Sequence, residues 1–263
     1  VAGWLYFTRL KSIHSIRKLT DYENYNLYRM DIDYAYDLDR LIDRGITDNQ
    51  SMINAILAEA LPYLPIHMKA PNFGCSAFCT QGTDGHTLMG RNYDFRNDTS
   101  AMLVYCTPKD GYASVAFAAL DNINANTPDA SMAKKLATLT APFICLDGMN
   151  EKGVSIAVLT LASDPTYQPG KPMSATTLAI RLVLDRAATT AEAVELLSKY
   201  DMFASSGRDY HFYITDASGD GRVLEYDFND PGRPLTVHPS RRVTNFFPMY
   251  THSALPNQHA GAS

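Results

Sequence analysis

The sequence predicts a layered α+β fold, in which helices pack against antiparallel β-sheet. Three observations support this prediction. Short apolar or alternating segments separated by turn residues dominate from Cys75 onward, two helical segments interrupt them between Ser174 and Tyr200, and strand-like segments then return. The chain has 263 residues, of which 46% are hydrophobic, and this is enough to build one large core.

Residues 1–74 differ from the rest and predict a mainly helical N-terminal segment. Apolar residues recur at helical spacing over 33–43 and again over 51–61, where Pro62 ends the pattern. Residues 1–7 are apolar and aromatic and precede two basic residues. Such an edge suits either packing onto the domain or the trimmed end of a signal or anchor segment. A location outside the cytoplasm or at a membrane is therefore slightly favoured over the cytoplasm.

A β-hairpin is predicted directly after this segment. Its first strand begins at Gly74-Cys75, and alternation places every second side chain from Cys75 on one face. Asp84-Gly85 is a strong turn signal, because the turn needs a positive φ that glycine adopts without steric cost. The second strand ends in the polar run Arg91–Asp94. The hairpin therefore brings a thiol, a guanidinium and a carboxylate towards one end, which makes it a candidate nucleophile site.

The register of the hairpin stays open in the sequence. A three-residue loop places Arg91 on the Cys75 face, opposite Ala77, whereas a two-residue loop places Asp94 opposite Cys75. A bulge at Gly90 would present both charged side chains.

Beyond the hairpin, strands and helices follow each other in a regular order. Strands are predicted at 102–106, 112–120, 143–146, 154–161, 210–216, 222–227, 235–238 and 242–247, and helices at 131–139, 174–187 and 191–200.

Composition argues against several classes of function. A net charge of −5 and a pI near 5.8 give no basic surface for nucleic acid. No apolar run approaches the length of a membrane span. The four cysteines and seven histidines lack the spacing of metal sites, and no glycine-rich phosphate loop occurs, so neither a metal nor a cofactor is expected. Four cysteines in a chain of this length are expected to be free thiols.

The run from Cys75 to Asp94 resembles the opening of the choloylglycine hydrolase family. A second match is the Asn-Glu-Lys-Gly turn and following strand within Asp147–Ala157, and a weaker one is Val243–Asn245. This family includes conjugated bile acid hydrolases and penicillin V acylases, its relatives include acid ceramidase, and all are N-terminal nucleophile (Ntn) hydrolases. The resemblance implies a four-layer αββα sandwich of antiparallel sheets flanked by helices over residues 75–263, and hydrolysis of linear amides.

The resemblance also implies that residues 1–74 are a propeptide, because some relatives carry one. The bond between Gly74 and Cys75 is then cut autocatalytically, by an N→S acyl shift followed by hydrolysis. Cleavage frees the α-amino group of Cys75, whose ordinary pKa of about 7.7–8 lets it act as the base for its own thiol. No separate histidine is then required.

The site residues follow from the same resemblance. Cys75 is the nucleophile, and Arg91 favours its thiolate and helps to fix the substrate. Asp94 accepts hydrogen bonds from the new amino terminus, and Asn245 donates to the oxyanion. Thr160 stands where bile salt hydrolases have an asparagine. In this chain the backbone N–H of Thr160 is left to fill the role of that asparagine. A late arginine and the closing strands of the family have no evident counterpart in this sequence.

The implied partner is a small-molecule N-acyl amide, such as a conjugated bile acid, penicillin V or a lipid amide. Its acyl part is expected to be apolar, since Phe78, Met89, Tyr93 and Phe95 flank the nucleophile, although the same residues are equally compatible with a place in the core. Two alternatives stay open: an acyltransferase that uses the same Cys75 thioester, and a non-catalytic binding protein in which Cys75 is structural. The sequence is also compatible with a homo-oligomer.

Overall fold

The computed structural model describes residues 2–62, 74–94, 98–161, 168, 170–204, 207–227 and 229–250. The α-helices are α1 (Ala2–His14), α2 (Leu38–Ile42), α3 (Asn49–Ala60), α4 (Met132–Ala137), α5 (Thr176–Arg186) and α6 (Thr190–Ser198). The strands are β1 (Arg17–Lys18), β2 (Leu27–Ile32), β3 (Gly74–Gln81), β4 (Thr87–Asp94), β5 (Ala101–Cys106), β6 (Ser114–Ala119), β7 (Cys145–Asn150), β8 (Ser155–Thr160), β9 (Met173–Ala175), β10 (Asp201–Phe203), β11 (Tyr210–Thr215), β12 (Gly221–Tyr226), β13 (Leu235–Pro239) and β14 (Arg242–Val243). Short 3-10 helices lie at Leu120–Ile123, Pro128–Ala130, Thr138–Phe143 and Pro248–Tyr250.

Nine of these strands form one large sheet in the order β1-β2-β5-β6-β7-β8-β11-β12-β13. Neighbouring strands are antiparallel except for β2 and β5, which are parallel. This exception arises because β2 belongs to the N-terminal segment, and the two helices and the hairpin that follow it supply the long crossover that a parallel pair needs. The predicted antiparallel arrangement therefore holds for every pair of the large sheet but one.

Helices α5 and α6 cover one face of the large sheet. Helix α5 packs on β7 and β8, and α6 contacts β11 and β12. Apolar side chains from both layers, such as Val158 and Leu178, form the main core between them. These helices correspond to the predicted segments 174–187 and 191–200, although residues 173–175 form β9, which pairs in parallel with β10.

A small second sheet, in the order β14-β3-β4, packs against the other face of the large sheet. Strand β3 lies on β8, and Ala77 and Cys79 join Ala157, Leu159 and Tyr213 in a second, smaller core. Helices on one side of the large sheet and a second sheet on the other confirm the predicted α+β class.

The hairpin register follows the three-residue loop. Arg91 pairs with Ala77, and the N–H of Gly82 donates to the carbonyl of His86 at 2.8 Å to close the loop. Gly85 has a φ of +83°, the conformation for which the turn requires glycine.

The outer face of the small sheet is largely solvent-exposed. The side chains of Phe78 and Leu88 are 51% and 54% exposed. Gly90 leaves room for the Phe78 ring, because a Cβ on Gly90 would lie 2.3 Å from Phe78 Cζ. The fourth layer of the αββα arrangement would cover this face, and no helix covers it within the described ranges.

The N-terminal segment is packed into the main core. The hydroxyl of Tyr34 donates to the carbonyl of Leu139 at 2.6 Å, and that of Tyr36 donates to Asp185 at 2.9 Å. Helices α2 and α3 confirm the two helices predicted there, the first in shortened form, while α1 and β2 were not predicted. None of the described helices has the length and apolar character needed to cross a bilayer.

Candidate active site

Cys75 lies near the start of β3, on the face that packs against the large sheet, and is only 2% exposed. Three groups surround its thiol and its backbone nitrogen. Arg91 Nη2 donates to Cys75 Sγ at 3.2 Å, and the N–H of Cys75 donates to Asn245 Oδ1 at 2.6 Å. A backbone hydrogen bond from Thr160 also favours the thiolate form of Cys75. The residues predicted for the site, apart from Asp94, therefore converge on Cys75.

Arg91 is held in place by more than the thiol. Its Nη2 also donates to the carbonyl of Val158 at 3.0 Å, and its Nη1 lies 3.0 Å from Asp147 Oδ2. The guanidinium carbon lies 5.1 Å from the centre of the Tyr93 ring. These contacts come from β7, β8 and β4, so the position of the cation is fixed by both sheets.

Asp147 is a site residue that the sequence did not reveal. It lies within the matched segment that precedes the Asn-Glu-Lys-Gly turn, but only the pairing of the sheets brings its carboxylate to Arg91. Burial raises the pKa of Asp147, and the Arg91 cation partly offsets this shift. The feature of the sequence that could have revealed Asp147 is a carboxylate within a mostly apolar strand.

The Asn245 amide has a fixed orientation. Its Nδ2 donates to the carbonyl of Thr160 at 2.6 Å, while its Oδ1 accepts from Cys75. A flipped amide would set an oxygen against an oxygen and an N–H against an N–H, so both partners select the same orientation. One of the two Nδ2 hydrogens is used in this way, and the other is left for a further acceptor.

Asp94 occupies the opposite face of the hairpin. It pairs with Gly74 across the two strands, is exposed, and accepts a hydrogen bond from Asn92 Nδ2 at 2.8 Å. In the continuous chain the N–H of Cys75 is bound by Asn245 instead. The charge of Asp94 still reaches the thiol, because it contributes to raising the pKa of Cys75.

Burial raises the pKa of the Cys75 thiol to about 11. Arg91 acts in the other direction, and the charges of Asp94 and Asp147 add to the upward shift. At neutral pH the thiol of the continuous chain is thus almost entirely protonated, and it is a weak nucleophile.

A cleft of about 880 Å³ lies beside the Arg91–Asp147 pair. Both residues line it, and most of its other walls are apolar. These walls include Tyr25, Met89, Tyr93, Val115, Phe117 and Leu146. Met89 and Tyr93 therefore flank the cleft as predicted, whereas Phe78 lies on the outer face of the hairpin, and Phe95 lies outside the described residues.

The other cysteines and the histidines do not form a competing site. Cys79, Cys106 and Cys145 are buried and free, and Cys106 and Cys145 belong to the main core on the helix side. The described part of the chain contains no group of three metal-ligating side chains. His211 is paired with Glu225 rather than with Cys75.

Comparison with known proteins identifies the family. The profile of linear amide C–N hydrolases of the choloylglycine hydrolase family matches residues 75–254, which is more than half of the chain. The chain therefore belongs to the choloylglycine hydrolase family.

Two solved structures are similar to this chain. One is a variant of the conjugated bile acid hydrolase from Clostridium perfringens, with 20% identity and a TM-score of 0.45, over 67% of this chain and 54% of that one. The other is penicillin V acylase from Agrobacterium tumefaciens, with 21% identity and a TM-score of 0.36, over 68% and 46% of the two chains. The chain spans about half the length of these proteins.

Proposed function

We propose that this chain is the precursor of a linear amide hydrolase whose nucleophile is Cys75. The observation that carries the proposal is the contact of Arg91 with the Cys75 sulfur at 3.2 Å, while the Asn245 amide binds the Cys75 nitrogen at 2.6 Å. A cation at the sulfur and an acceptor at the nitrogen are what a cysteine needs when its own amine becomes the base.

The first step is cleavage of the chain before Cys75. The thiol attacks the carbonyl carbon of Gly74, the C–N bond breaks, and the nitrogen takes up a proton, leaving a thioester. Water then cleaves the thioester, which frees the thiol and ends the first chain at the Gly74 carboxylate. The absence of a side chain on Gly74 supports this step, since the attacked carbonyl has little steric shielding.

The second reaction uses the amine that the first step frees. The α-amine takes the thiol proton as Cys75 attacks the amide of the substrate, and then passes it to the departing amine. Asn245 Oδ1 is already in place to orient the amine, and its remaining N–H is available to the oxyanion, a contribution worth about 3 kcal/mol. Asp94 pairs with Gly74 across the hairpin, and we propose that it becomes a second acceptor for the new amino terminus once the bond to Gly74 is cut. Water releases the acid from the thioester.

The substrate we propose is a small N-acyl amide with an apolar acyl part. The walls of the cleft are mostly apolar, and its charged pair, Arg91 and Asp147, lies next to the nucleophile. Conjugated bile acids, penicillin V and lipid amides all have this form. We also propose a location outside the cytoplasm or at a membrane, because residues 1–7 are apolar and aromatic and precede basic residues, a pattern that suits a membrane interface.

Intact-mass analysis tests the proposal. The purified chain is expected to split into two pieces, one starting at Cys75, and Cys75→Ala is expected to remain whole. The processed protein should release acid from at least one member of a panel of bile, penicillin and lipid amides. Transfer of the acyl group to an added amine in preference to water would identify an acyltransferase. If the chain never splits and no acyl probe labels Cys75, both activities are contradicted. The remaining alternative is then a non-catalytic binding protein.

A further inference from the structure

Glu225 is a buried carboxylate on β12 that the proposed mechanism does not use. Its side chain is 0% exposed and faces the small sheet, on the same side of β12 as Val223. The N–H of Met249 donates to Glu225 Oε1 at 2.7 Å, and His211 Nδ1 lies 3.3 Å from Glu225 Oε2. His238 Nε2 lies 3.4 Å from Oε1. Burying a carboxylate is costly unless such partners are provided, so these contacts call for an explanation.

The contact with Met249 connects Glu225 to the catalytic asparagine. Met249 lies in the 3-10 helix Pro248–Tyr250, four residues beyond Asn245. On the other side of Asn245, β14 is fixed to β3 by the pairing of Val243 with Ala77. Asn245 therefore lies on a short span of chain with two anchors. One anchor is a strand pair, and the other is a hydrogen bond to a buried carboxyl group.

We infer that Glu225 is a positioning residue for Asn245. Its carboxylate fixes the N–H of Met249, and thereby the span of chain that brings the Asn245 amide to Cys75 and Thr160. A carboxylate suits this task because hydrogen bonds to a charged acceptor are shorter and stronger than neutral ones. This inference rests on the proposed function, in which the Asn245 amide orients the amine and binds the oxyanion.

Two histidines also lie beside the carboxylate. His211 lies directly opposite Glu225 on the neighbouring strand β11, and His238 approaches from β13. Thr236 Oγ1 also donates to the Glu225 carbonyl at 2.9 Å, which ties the backbone at the same point. With contacts from both neighbouring strands, the carboxylate is held in one orientation towards Met249.

Two substitutions break the Glu225–Met249 contact from opposite ends. Glu225→Leu removes the acceptor, and Met249→Pro removes the donor. Each is expected to lower kcat of the processed protein by about tenfold to a hundredfold, with KM within threefold, since displacement of a catalytic group by about 1 Å has effects of this size. Glu225→Gln keeps an acceptor and is expected to retain most of kcat. The double variant is expected to have a kcat no lower than that of the less active single variant, because both substitutions remove the same contact.

Matched controls separate positioning from general destabilisation. Met249→Leu keeps the backbone donor and approximate volume. Asp185→Leu removes a buried carboxylate on the helix side of the large sheet, away from Asn245. The inference is overturned if Glu225→Leu keeps the wild-type kcat, or if Asp185→Leu lowers kcat as much at equal loss of thermal stability.

Hydrogen exchange provides a readout that needs no activity. In the Cys75→Ala background the chain stays whole, and the N–H of residue 75 still has Asn245 Oδ1 as its acceptor. Adding Glu225→Leu is expected to speed exchange in peptides covering residues 74–79 and 242–249, whereas Met249→Leu is not. Equal exchange in the two variants would overturn the inference. If wild-type protein neither splits nor hydrolyses any amide, the proposed function fails, and this measurement still decides the role of Glu225.

Discussion

Arg91 lies 3.2 Å from the sulfur of Cys75, and this contact counteracts the cost of burying a nucleophile. Burial pushes the thiol towards its protonated form, and the guanidinium of Arg91 draws it back towards the thiolate. Because Asp147 holds the other side of the guanidinium, the cation cannot simply turn away to solvent. The pair therefore sets how reactive the thiol is in the continuous chain.

Replacing Arg91 by glutamine is expected to raise the pKa of Cys75 above its value of about 11 in the continuous chain. The rate at which iodoacetamide alkylates Cys75 can be measured by mass spectrometry of the uncleaved chain. At pH 8 this rate should fall by roughly tenfold for each unit by which the pKa rises. Arg222→Gln removes an arginine that pairs with Asp220 instead, and should not change the rate. An Arg91→Gln chain that alkylates at the wild-type rate would show that the cation does not act on the thiol.

Asn245→Ala is expected to lower kcat by about 10²–10³-fold, as loss of an oxyanion donor does elsewhere. Thr160→Val should have a smaller effect, because its contacts with Asn245 and Cys75 are made by its backbone. Steady-state kinetics on processed protein measure both. A larger loss for Thr160→Val than for Asn245→Ala would contradict the assigned roles.

The pair formed by Asp39 and Arg186 predicts a pH-dependent contribution to stability. Two hydrogen bonds of 2.7 Å from Arg186 lower the pKa of Asp39. The contribution is thus present above the unfolded pKa of about 3.9 and is lost as the pH falls through the lower folded pKa. Because the pair is partly exposed, Asp39→Asn should cost only about 0.5–1 kcal/mol at pH 7. Denaturant unfolding should give equal free energies of unfolding for wild type and Asp39→Asn at pH 2. A difference that stays the same at all pH values would show that it does not come from the ionised pair.

The two pieces of the processed chain are expected to stay together. Strand β2 is an inner strand of the large sheet, and the hydroxyls of Tyr34 and Tyr36 donate hydrogen bonds to residues beyond the proposed cleavage point. Native size-exclusion chromatography should therefore give one peak that separates into two masses only under denaturing conditions. Release of residues 1–74 from native protein would instead define them as a dissociable propeptide.

Tyr25→Ala is expected to affect long acyl chains more than short ones. Tyr25 lines the cleft from the N-terminal segment, in the loop that precedes β2. Removing it should raise KM for long-chain amides several-fold and leave kcat largely unchanged, because contacts remote from the reacting bond bind ground state and transition state alike. An equal change in KM for short and long chains would place the acyl group elsewhere.

The sequence predicted the parts of this site that depend on local pattern. The turn at Asp84-Gly85 and the alternation along the hairpin restrict the register to a few choices, and one of these choices puts Arg91 beside Cys75. That same choice turns Asp94 to the other face, since it lies an odd number of residues from Arg91. The position of Asp94 was thus contained in an alternative that the sequence left open.

Other features depend on pairings between distant segments. Asp147 meets Arg91 only because the two sheets are stacked. Residues 28–32 alternate between apolar and polar, which is typical of a strand, but nothing in them indicates that β2 pairs in parallel with β5. Glu225 and Met249 are similarly brought together by the order of strands. Local propensity carries no information on such contacts, because strand formation depends strongly on neighbours.

Tyr25 lies outside residues 75–254, the region that matches the family. Cys75 and the groups described in contact with it lie within that region, while Tyr25 lines the cleft from before it. Most of the cleft wall thus comes from the same region as the groups that contact Cys75, and Tyr25 adds to it from outside that region. We therefore expect mutations in the N-terminal stretch to change substrate preference without altering the groups that contact Cys75.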